Sequence, residues 1–440
     1  MRLTLPPLLK TPLLEWSVLA VALIVAVQCF AERIRLGIAW EDSYHHWLIS
    51  AYGWTTGHFQ DPLEGHTATL PVAHWIYGLV LGITGVYNLH ALEWTAAGAT
   101  LLTALLLYHW GGLGVALLFL FNPVILLTGS LPVTEPWSVL LLLLGVWAWL
   151  HPVHPLWAQG ALLLGVLTDR GTWPLVLACW GWSVYRQRNP LWLPVCALVG
   201  VVVLNIHLGS LESTARWAEV DQAGMDVAQR VDQLVQFSFA PLLIPVVLAA
   251  LALLLRRQLT RRDGGLLALG GGYLLLLGVL VGAGQLTGSP RYYGAVIPLL
   301  LLGSRPVYRY WAWGVLPVAL LLFSLKVYYF ARWPQWVILN QPQVLAGRWL
   351  NGRGSGTLYT DSPLIAYLSR WPLQEVAGGK RSQGAQPGSW AALVGDGRYR
   401  ALYPALDLVP GTQWRQVGDW SKHWTVRYGA KPTWVYRREP

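Results

Sequence analysis

"AWEDSYHHWLISAYGWTTGHFQDPLEGHTATLP", residues 39–71, is the most polar stretch in the first half of an otherwise apolar chain. Two adjacent carboxylates, Glu41 and Asp42, and four histidines sit between one apolar segment ending near Phe30 and another beginning at Leu70. A polar patch between runs long enough to cross a bilayer reads as a loop at a membrane surface. The rest of the chain bears on whether the membrane is there.

Of the 440 residues, 55% are hydrophobic and only 12% charged, with 27 Trp and 45 Gly. Soluble domains carry about 25% charged residues, whereas a transmembrane helix needs about 20 apolar ones. The composition therefore predicts a polytopic α-helical membrane protein. Arg2 and Lys10 precede an apolar run from Leu13 to Phe30 that lacks a small-residue cleavage site, which reads as a retained first helix rather than a signal peptide. Cys29, Cys179 and Cys196 all lie in apolar segments and imply neither a metal site nor a disulfide framework.

The formal charge is +10, and the tail from Ala331 to Pro440 holds 14 Lys+Arg against 6 Asp+Glu, a net +8. That balance suits anionic lipid headgroups or phosphorylated substrates, and no nucleic-acid reading motif accompanies it.

Apolar segments fall at 13–31, 70–87, 91–110, 111–128, 136–150, 156–168, 172–186, 191–209, 238–255, 264–286, 292–303 and 310–329. The basic clusters "YRQR" (185–188), "RRQLTRR" (256–262) and "RPVYR" (305–309) mark the cytoplasmic side by the positive-inside bias. Loop 210–237, the "GSPRYYG" loop (288–294) and the tail then fall outside, as does the opening stretch, because the N-terminus is basic. Twelve crossings would return the tail to the cytoplasm, so one segment between residues 70 and 170 does not cross.

The tail has a different character. "GTLYTDSPLIAYLSRWP" predicts a strand, a turn at Asp361-Ser362-Pro363 and a short helix, and "WTVRYG" and "TWVYRR" read as strands. We expect residues 1–330 to form the transmembrane domain, with external loop 32–69, and 331–440 a small extracytoplasmic α/β domain of about 100 residues.

Within the opening stretch, Tyr44, Trp47, Leu48, Ala51, Tyr52 and Thr55 recur at helical spacing on one face. The aromatic content predicts a helix lying in the membrane interface, with Asp42 or Ser43 where an N-cap belongs. Asp42 thus has two readings, a helix cap or a general base at the outer face. Glu41 beside it could hold a metal, contact an acceptor, tune the pKa of Asp42 or simply be solvated.

The acidic pair, Ser43-Tyr44, an aromatic helix, Gly57-His58, Asp61-Pro62 and Gly65-His66-Thr67 before Pro71 resemble the first external loop of the GT-C glycosyltransferases. These are integral-membrane enzymes of the mannosyltransferase and aminoarabinose-transferase type, which use polyprenyl-phosphate sugars. Glu41-Asp42-Ser43-Tyr44 matches the family's acidic element, with Asp42 in the position of its catalytic carboxylate. The chain departs from the pattern at His58-Phe59, where a second Gly is missing, and in the separation of Thr67 from Pro71.

Other stretches fit the same family. "NPVILLTGSLPVTEPWSVLLLLLG" (122–145) resembles its Pro-ended span followed by a Glu-initiated helix and singles out Glu135. "GVLTDRGTWPLVL" (165–177) resembles a span ending in a basic residue, here Arg170, and "GSPRYYGAVIPLLLL" (288–302) the late Arg-Tyr element, here Arg291-Tyr292. The resemblance implies a GT-C fold with about 11–13 transmembrane helices. It implies Asp42 and Glu41 as catalytic residues, Arg291, Arg170 and Tyr292 as donor phosphate contacts, and Glu135, Tyr44, His45 and His66 as substrate contacts.

Each assignment has a plainer counterpart. Arg291 could snorkel to the headgroups, Arg170 could be neutralised by Asp169, and Glu135 could be a first-turn carboxylate favoured by the helix dipole. His45, His46, His58, His66 and His74 crowd one region, but adjacent His45 and His46 point to different sides of a helix, and no His-x-x-x-His pair occurs there. No metal ligand is assigned and no cofactor is certain, and a divalent ion, which some members of the fold use, stays open. In loop 210–237, Trp217, Val220, Gly224, Val227, Val231 and Leu234 form a helical stripe, a lid over a cavity or a second interfacial helix.

The function expected is transfer of a sugar from a polyprenyl-phosphate donor to an acceptor hydroxyl at the outer face of the cytoplasmic membrane, with inversion. The partners are then that donor, a glycan, lipid or protein acceptor, and membrane lipid. The alternative is a multi-span transporter or lipid flippase, which usually carries charges inside its spans and paired broken helices.

Overall fold

The computed structural model describes residues 12–35, 37, 41–63, 70–150, 155–185, 192–207, 225–255, 259–284, 290–307, 340–378, 385–395, 414–428 and 430–439. The chain divides into two compact units. The first comprises Met1–Leu36, Glu93–Leu204 and Gln222–Tyr328, the second Gly37–Leu92, Asn205–Asp221 and Tyr329–Pro440.

The first unit is helical. It holds α1 (Pro12–Arg35), most of α4 (Leu89–Gly111), α5 (Leu113–Leu120), α6 (Pro123–Thr128), α7 (Glu135–Leu150), α8 (Pro155–Val166), α9 (Trp173–Tyr185) and α10 (Trp192–His207). These are followed by α11 (Val227–Leu254), α12 (Arg261–Gly282) and α13 (Val296–Gly303). Among the described residues three helices are long and apolar enough to cross a bilayer, Leu13–Arg35, Leu89–Gly111 and Arg261–Gly282. Large apolar side chains such as Leu13, Val21, Ile24, Leu275 and Val279 point outward from the first and last of these. A water-soluble protein would bury such a surface; here it faces lipid. The protein is an integral membrane protein.

Small residues let the helices approach. A Cβ on Gly303 would lie 2.7 Å from the Leu267 side chain, and one on Gly145 would lie 2.6 Å from that of Leu162. Without a hydrophobic drive between helices in lipid, such backbone proximity supplies the packing. Phe30, Leu107, Phe119, Leu143, Leu162 and Leu300 belong to the buried core that results.

Three expectations need correction in this unit. Segment 111–128 is not one span, because the helix ends at Leu120 and restarts at Pro123. Asn122 accepts a hydrogen bond from the Val124 amide and caps the second piece, and Pro123, lacking an N–H, suits only a first helical turn. At 1.5 Å per residue the pieces are about 12 Å and 9 Å long, too short to cross. The stripe expected in loop 210–237 is in part the start of a longer helix. Asp226 and Gln229 form a capping box, and the helix runs unbroken from Val227 to Leu254, joining that loop to the apolar segment at 238–255. Trp217, Val220 and Gly224 lie outside the described residues, as does segment 310–329. Finally, segment 292–303 is helical only from Val296 and is preceded by a 3-10 turn, Pro290–Tyr293.

The second unit joins α2 (Glu41–Thr56) and α3 (Pro71–Thr84) to a mixed α/β layer. That layer holds α14 (Gln341–Leu350), β1 (Leu358–Thr360), α15 (Pro363–Ser369), β2 (Val376–Ala377), β3 (Trp390–Val394), β4 (Trp414–Asp419) and β5 (Thr433–Arg438). The sheet order is β2-β1-β3-β5-β4. β1 runs parallel to β2 and β3, while β5 is antiparallel to β3 and β4. The strand, turn and helix expected at 357–369 form as read, with Ser362 capping α15 and Pro363 at its first position. "TWVYRR" is β5, but "WTVRYG" is not a strand: residues Trp424–Tyr428 make a 3-10 turn whose start His423 braces through its bond to the Thr425 hydroxyl.

Two loops of the second unit are stitched to this layer. Tyr87 donates its hydroxyl to the Trp371 carbonyl, and the Tyr367 hydroxyl returns a bond to the Tyr87 carbonyl at 3.1 Å. Burial pushes the Tyr87 phenol up to about 12, so it stays a donor at neutral pH. The Gly378 amide donates to the Pro62 carbonyl at 3.1 Å, and a Cβ at Gly378 would sit 1.6 Å from the Leu63 carbonyl oxygen. Gly378→Ala is therefore expected to push residues 57–63 off the sheet and to open that loop to limited proteolysis at least about tenfold faster, equivalent to about 1.4 kcal/mol. Unchanged cleavage would show that the contact is not needed.

Candidate active site

In the second unit α2 carries the acidic element. It begins at Glu41, so Asp42 is not the cap expected from the sequence but lies inside the first turn, where the helix dipole favours a carboxylate. Its side chain is half-buried. The aromatic face read as interfacial is covered by protein instead. Tyr44 packs on Tyr367 with ring centroids 5.3 Å apart, Trp47 meets Tyr367 edge-on at 4.9 Å, and the Trp47 indole donates to the Val86 carbonyl at 2.7 Å. Those contacts place Tyr44 in the packing surface, with its ring nearly fully buried.

The histidines occupy the neighbouring faces. His45 Nε2 bonds Asp61 Oδ2 at 2.7 Å, and Asp61 Oδ1 accepts the Leu63 amide at 2.8 Å. The His46 and His74 rings stack at 5.0 Å. Ser50 donates its hydroxyl to the His46 carbonyl at 2.7 Å and therefore receives the Nδ1–H of His74 at 3.2 Å. The sequence singled out His45 but not Asp61 as its partner. "Asp61-Pro62" was legible as an element of the loop; what the carboxylate binds was not. His66 and the side chain of Glu41 lie outside what is described.

The first unit brings together a second group. Glu135 starts α7 as expected. Thr134 donates to Asp169 Oδ2 at 2.7 Å and lies 3.5 Å from Glu135 Oε2. Asp169 Oδ1 takes the Gly171 amide at 2.6 Å, and the Asp169 carbonyl takes the Thr172 hydroxyl at 2.8 Å, shaping the 3-10 turn Arg170–Thr172. Tyr273, from mid-α12, completes the cluster. A Cβ on Gly171 would lie 3.0 Å from its hydroxyl, and Asp169, Tyr292 and Glu135 are all within electrostatic range of it.

Sequence reasoning thus named Glu135, Arg170 and Tyr292 separately, and the fold places Glu135, Asp169 and the turns bearing Arg170 and Arg291-Tyr292 around Tyr273. The side chains of Arg170 and Arg291 lie outside what is described. Tyr273 was missed; its one sequence signal is a hydroxyl set after three glycines in "GGGY" within an apolar run. Asp169→Ala would remove both side-chain bonds and is expected to destabilise this unit by about 2–3 kcal/mol, read as a lower melting temperature in detergent. A shift within experimental scatter would mean that the turn holds without its carboxylate.

A buried ionic contact in the same unit was also missed. Arg33 near the end of α1 and Glu93 on α4 are 1% and 0% exposed, with their charged atoms 3.6 Å apart. Arg33 Nε donates to the Ser130 hydroxyl at 2.7 Å and its second nitrogen to the Ser130 carbonyl at 2.5 Å. Thr100 donates to the Gly129 carbonyl at 2.6 Å. The Gly129-Ser130 turn is thereby held four residues before Thr134 and the cluster around Tyr273.

Among the described residues no three His, Cys, Asp or Glu side chains gather closely enough to hold a metal ion. No family model matches the chain, and no curated protein matches it in sequence. A solved structure does match in shape: the crystal structure of ArnT from Cupriavidus metallidurans bound to undecaprenyl phosphate aligns with 96% of this chain and 97% of that one, at a TM-score of 0.52 and 14% identity. At that identity the likeness is one of fold, and it extends over nearly the whole length of both chains. With its apolar helices and small terminal sheet, the chain has the GT-C architecture that its acidic loop and later motifs led us to expect.

Proposed function

We propose that the protein is a membrane glycosyltransferase that takes a sugar from a polyprenyl-phosphate donor and joins it to an acceptor hydroxyl. The observation that carries this reading is the shared fold, along nearly the whole chain, with a protein solved with undecaprenyl phosphate bound. The reaction would take place at the outer face of the cytoplasmic membrane, where charge topology puts residues 39–71. Asp42, half-buried in the first turn of α2, acts as general base on the acceptor. The acceptor oxygen displaces the phosphate from the anomeric carbon with inversion. Arg170 and Arg291, borne on the two 3-10 turns near Tyr273, neutralise the departing phosphate, while Tyr292, Glu135, His45 and His66 contact substrate. Glu41 assists Asp42. The sugar is a hexose or a pentose.

The test is turnover by the full chain in lipid nanodiscs. The donors offered are undecaprenyl phosphates carrying mannose, arabinose or aminoarabinose, with a membrane extract as acceptor source. Release of undecaprenyl phosphate from one donor, dependent on the extract, is the expected result. No release from any donor, with lipid movement between leaflets instead, would replace this reading with a flippase.

A further inference from the structure

We propose that His45, held by Asp61, takes up the proton that Asp42 removes from the acceptor, so that the pair resets the general base after each turnover. The inference rests on the transferase reading and adds a relay to it.

Three observations support the relay. Asp61 is only 4% exposed and is fixed from both oxygens, by His45 Nε2 and by the Leu63 amide. An ionised carboxylate only accepts, so the hydrogen of that bond sits on Nε2 and Nδ1 is the basic nitrogen of the ring. His45 itself stays 34% exposed, which a bond serving only to tie residues 57–63 to α2 would not require. Finally, His45 follows Asp42 by three positions within one helix, which puts their side chains on one face as neighbours.

His46 and His74 are tied differently. They stack on each other, and His74 bonds Ser50 rather than a carboxylate.

The proton count closes. A lone pair on the acceptor oxygen forms the bond to the anomeric carbon. The bond from that carbon to the phosphate oxygen breaks, and its electron pair leaves with the phosphate. The acceptor proton passes to the Asp42 carboxylate and from there to His45 Nδ1, while Nε2–H stays with Asp61. Loss of that proton to water restores both groups.

The test uses the full chain in nanodiscs with whichever undecaprenyl-phosphate sugar the wild type turns over. His45→Gln keeps an amide N–H for Asp61 but has no basic nitrogen. It is expected to lower kcat at least about tenfold and to lose the His45 limb on the acidic side of the pH–kcat profile. Added imidazole is expected to restore His45→Ala, and Asp61→Asn to fall between wild type and His45→Gln. Among the described residues, Asp42 and His46 share α2 with His45, His74 on α3 lies within electrostatic range of it, and Glu375 sits in the Leu373–Glu375 turn packed on α2. The limb must therefore be absent from His45→Gln and present in His46→Gln. Wild-type kcat and an intact limb in His45→Gln would overturn the relay and leave the transferase standing. No turnover by the wild type would remove both.

Discussion

Asp42→Asn is expected to reduce release of undecaprenyl phosphate at least about a hundredfold, the contribution of one general base, while the protein still folds. The substitution changes neither size nor shape. In the first turn of α2 it gives up the attraction of a carboxylate to the helix N-terminus, about 0.3–1 kcal/mol. A hundredfold loss of release with an unchanged melting curve would therefore lie in the chemistry. Asn caps a helix about as well as Asp, so the stability of this variant does not depend on whether Asp42 caps α2. The measurement is initial release rate beside a melting curve for the same preparation. Equal release from both proteins would remove Asp42 from the mechanism and leave a first-turn carboxylate.

Arg33→Met is expected to have the second largest effect, on stability rather than turnover. It deletes two hydrogen bonds to Ser130 and the cation facing Glu93 in a fully buried site. Breaking one side of a buried ion pair costs about 3–5 kcal/mol, because the other charge stays behind in a poor dielectric. Adding Glu93→Gln should recover much of that loss, since no charge is then left buried; a simple sum of the two single effects would argue against coupling. The Gly129-Ser130 turn leads through Thr134 to Asp169, so protease sensitivity near residue 130 should rise in Arg33→Met and subside in the double variant. A melting temperature for Arg33→Met equal to that of the wild type would show that the buried arginine carries no stability.

Both variants probe groups whose partners lie far away in the chain, and there the sequence ran out. Composition and apolar runs announced a helical membrane protein, because lipid demands self-satisfied helices and every residue of a span reports that demand locally. Helix starts were equally local. Glu135 opens α7, and Ser362-Pro363 caps and starts α15, because these side chains and the missing proline N–H act within one turn. The same kind of signal at Asn122-Pro123 was present but was outweighed by the apolar run around it, and the result was one span where the chain makes two short helices. "WTVRYG" alternates like a strand, yet its residues close into a 3-10 turn.

What hydropathy could not supply was pairing. His45 finds Asp61 16 residues on, Arg33 finds Ser130 97 residues on, and Tyr87 finds Trp371 284 residues on. The aromatic face of α2, read as a surface for headgroups, is covered by α15, which lies some 300 residues later. Residues 39–71 by themselves determined that a carboxylate would stand at the start of a helix. Only the tertiary structure decided that a histidine on that helix would be backed by a buried aspartate. Helix periodicity and turn chemistry are properties of neighbouring residues, whereas a buried polar group takes its partner from whatever segment the whole chain packs against it.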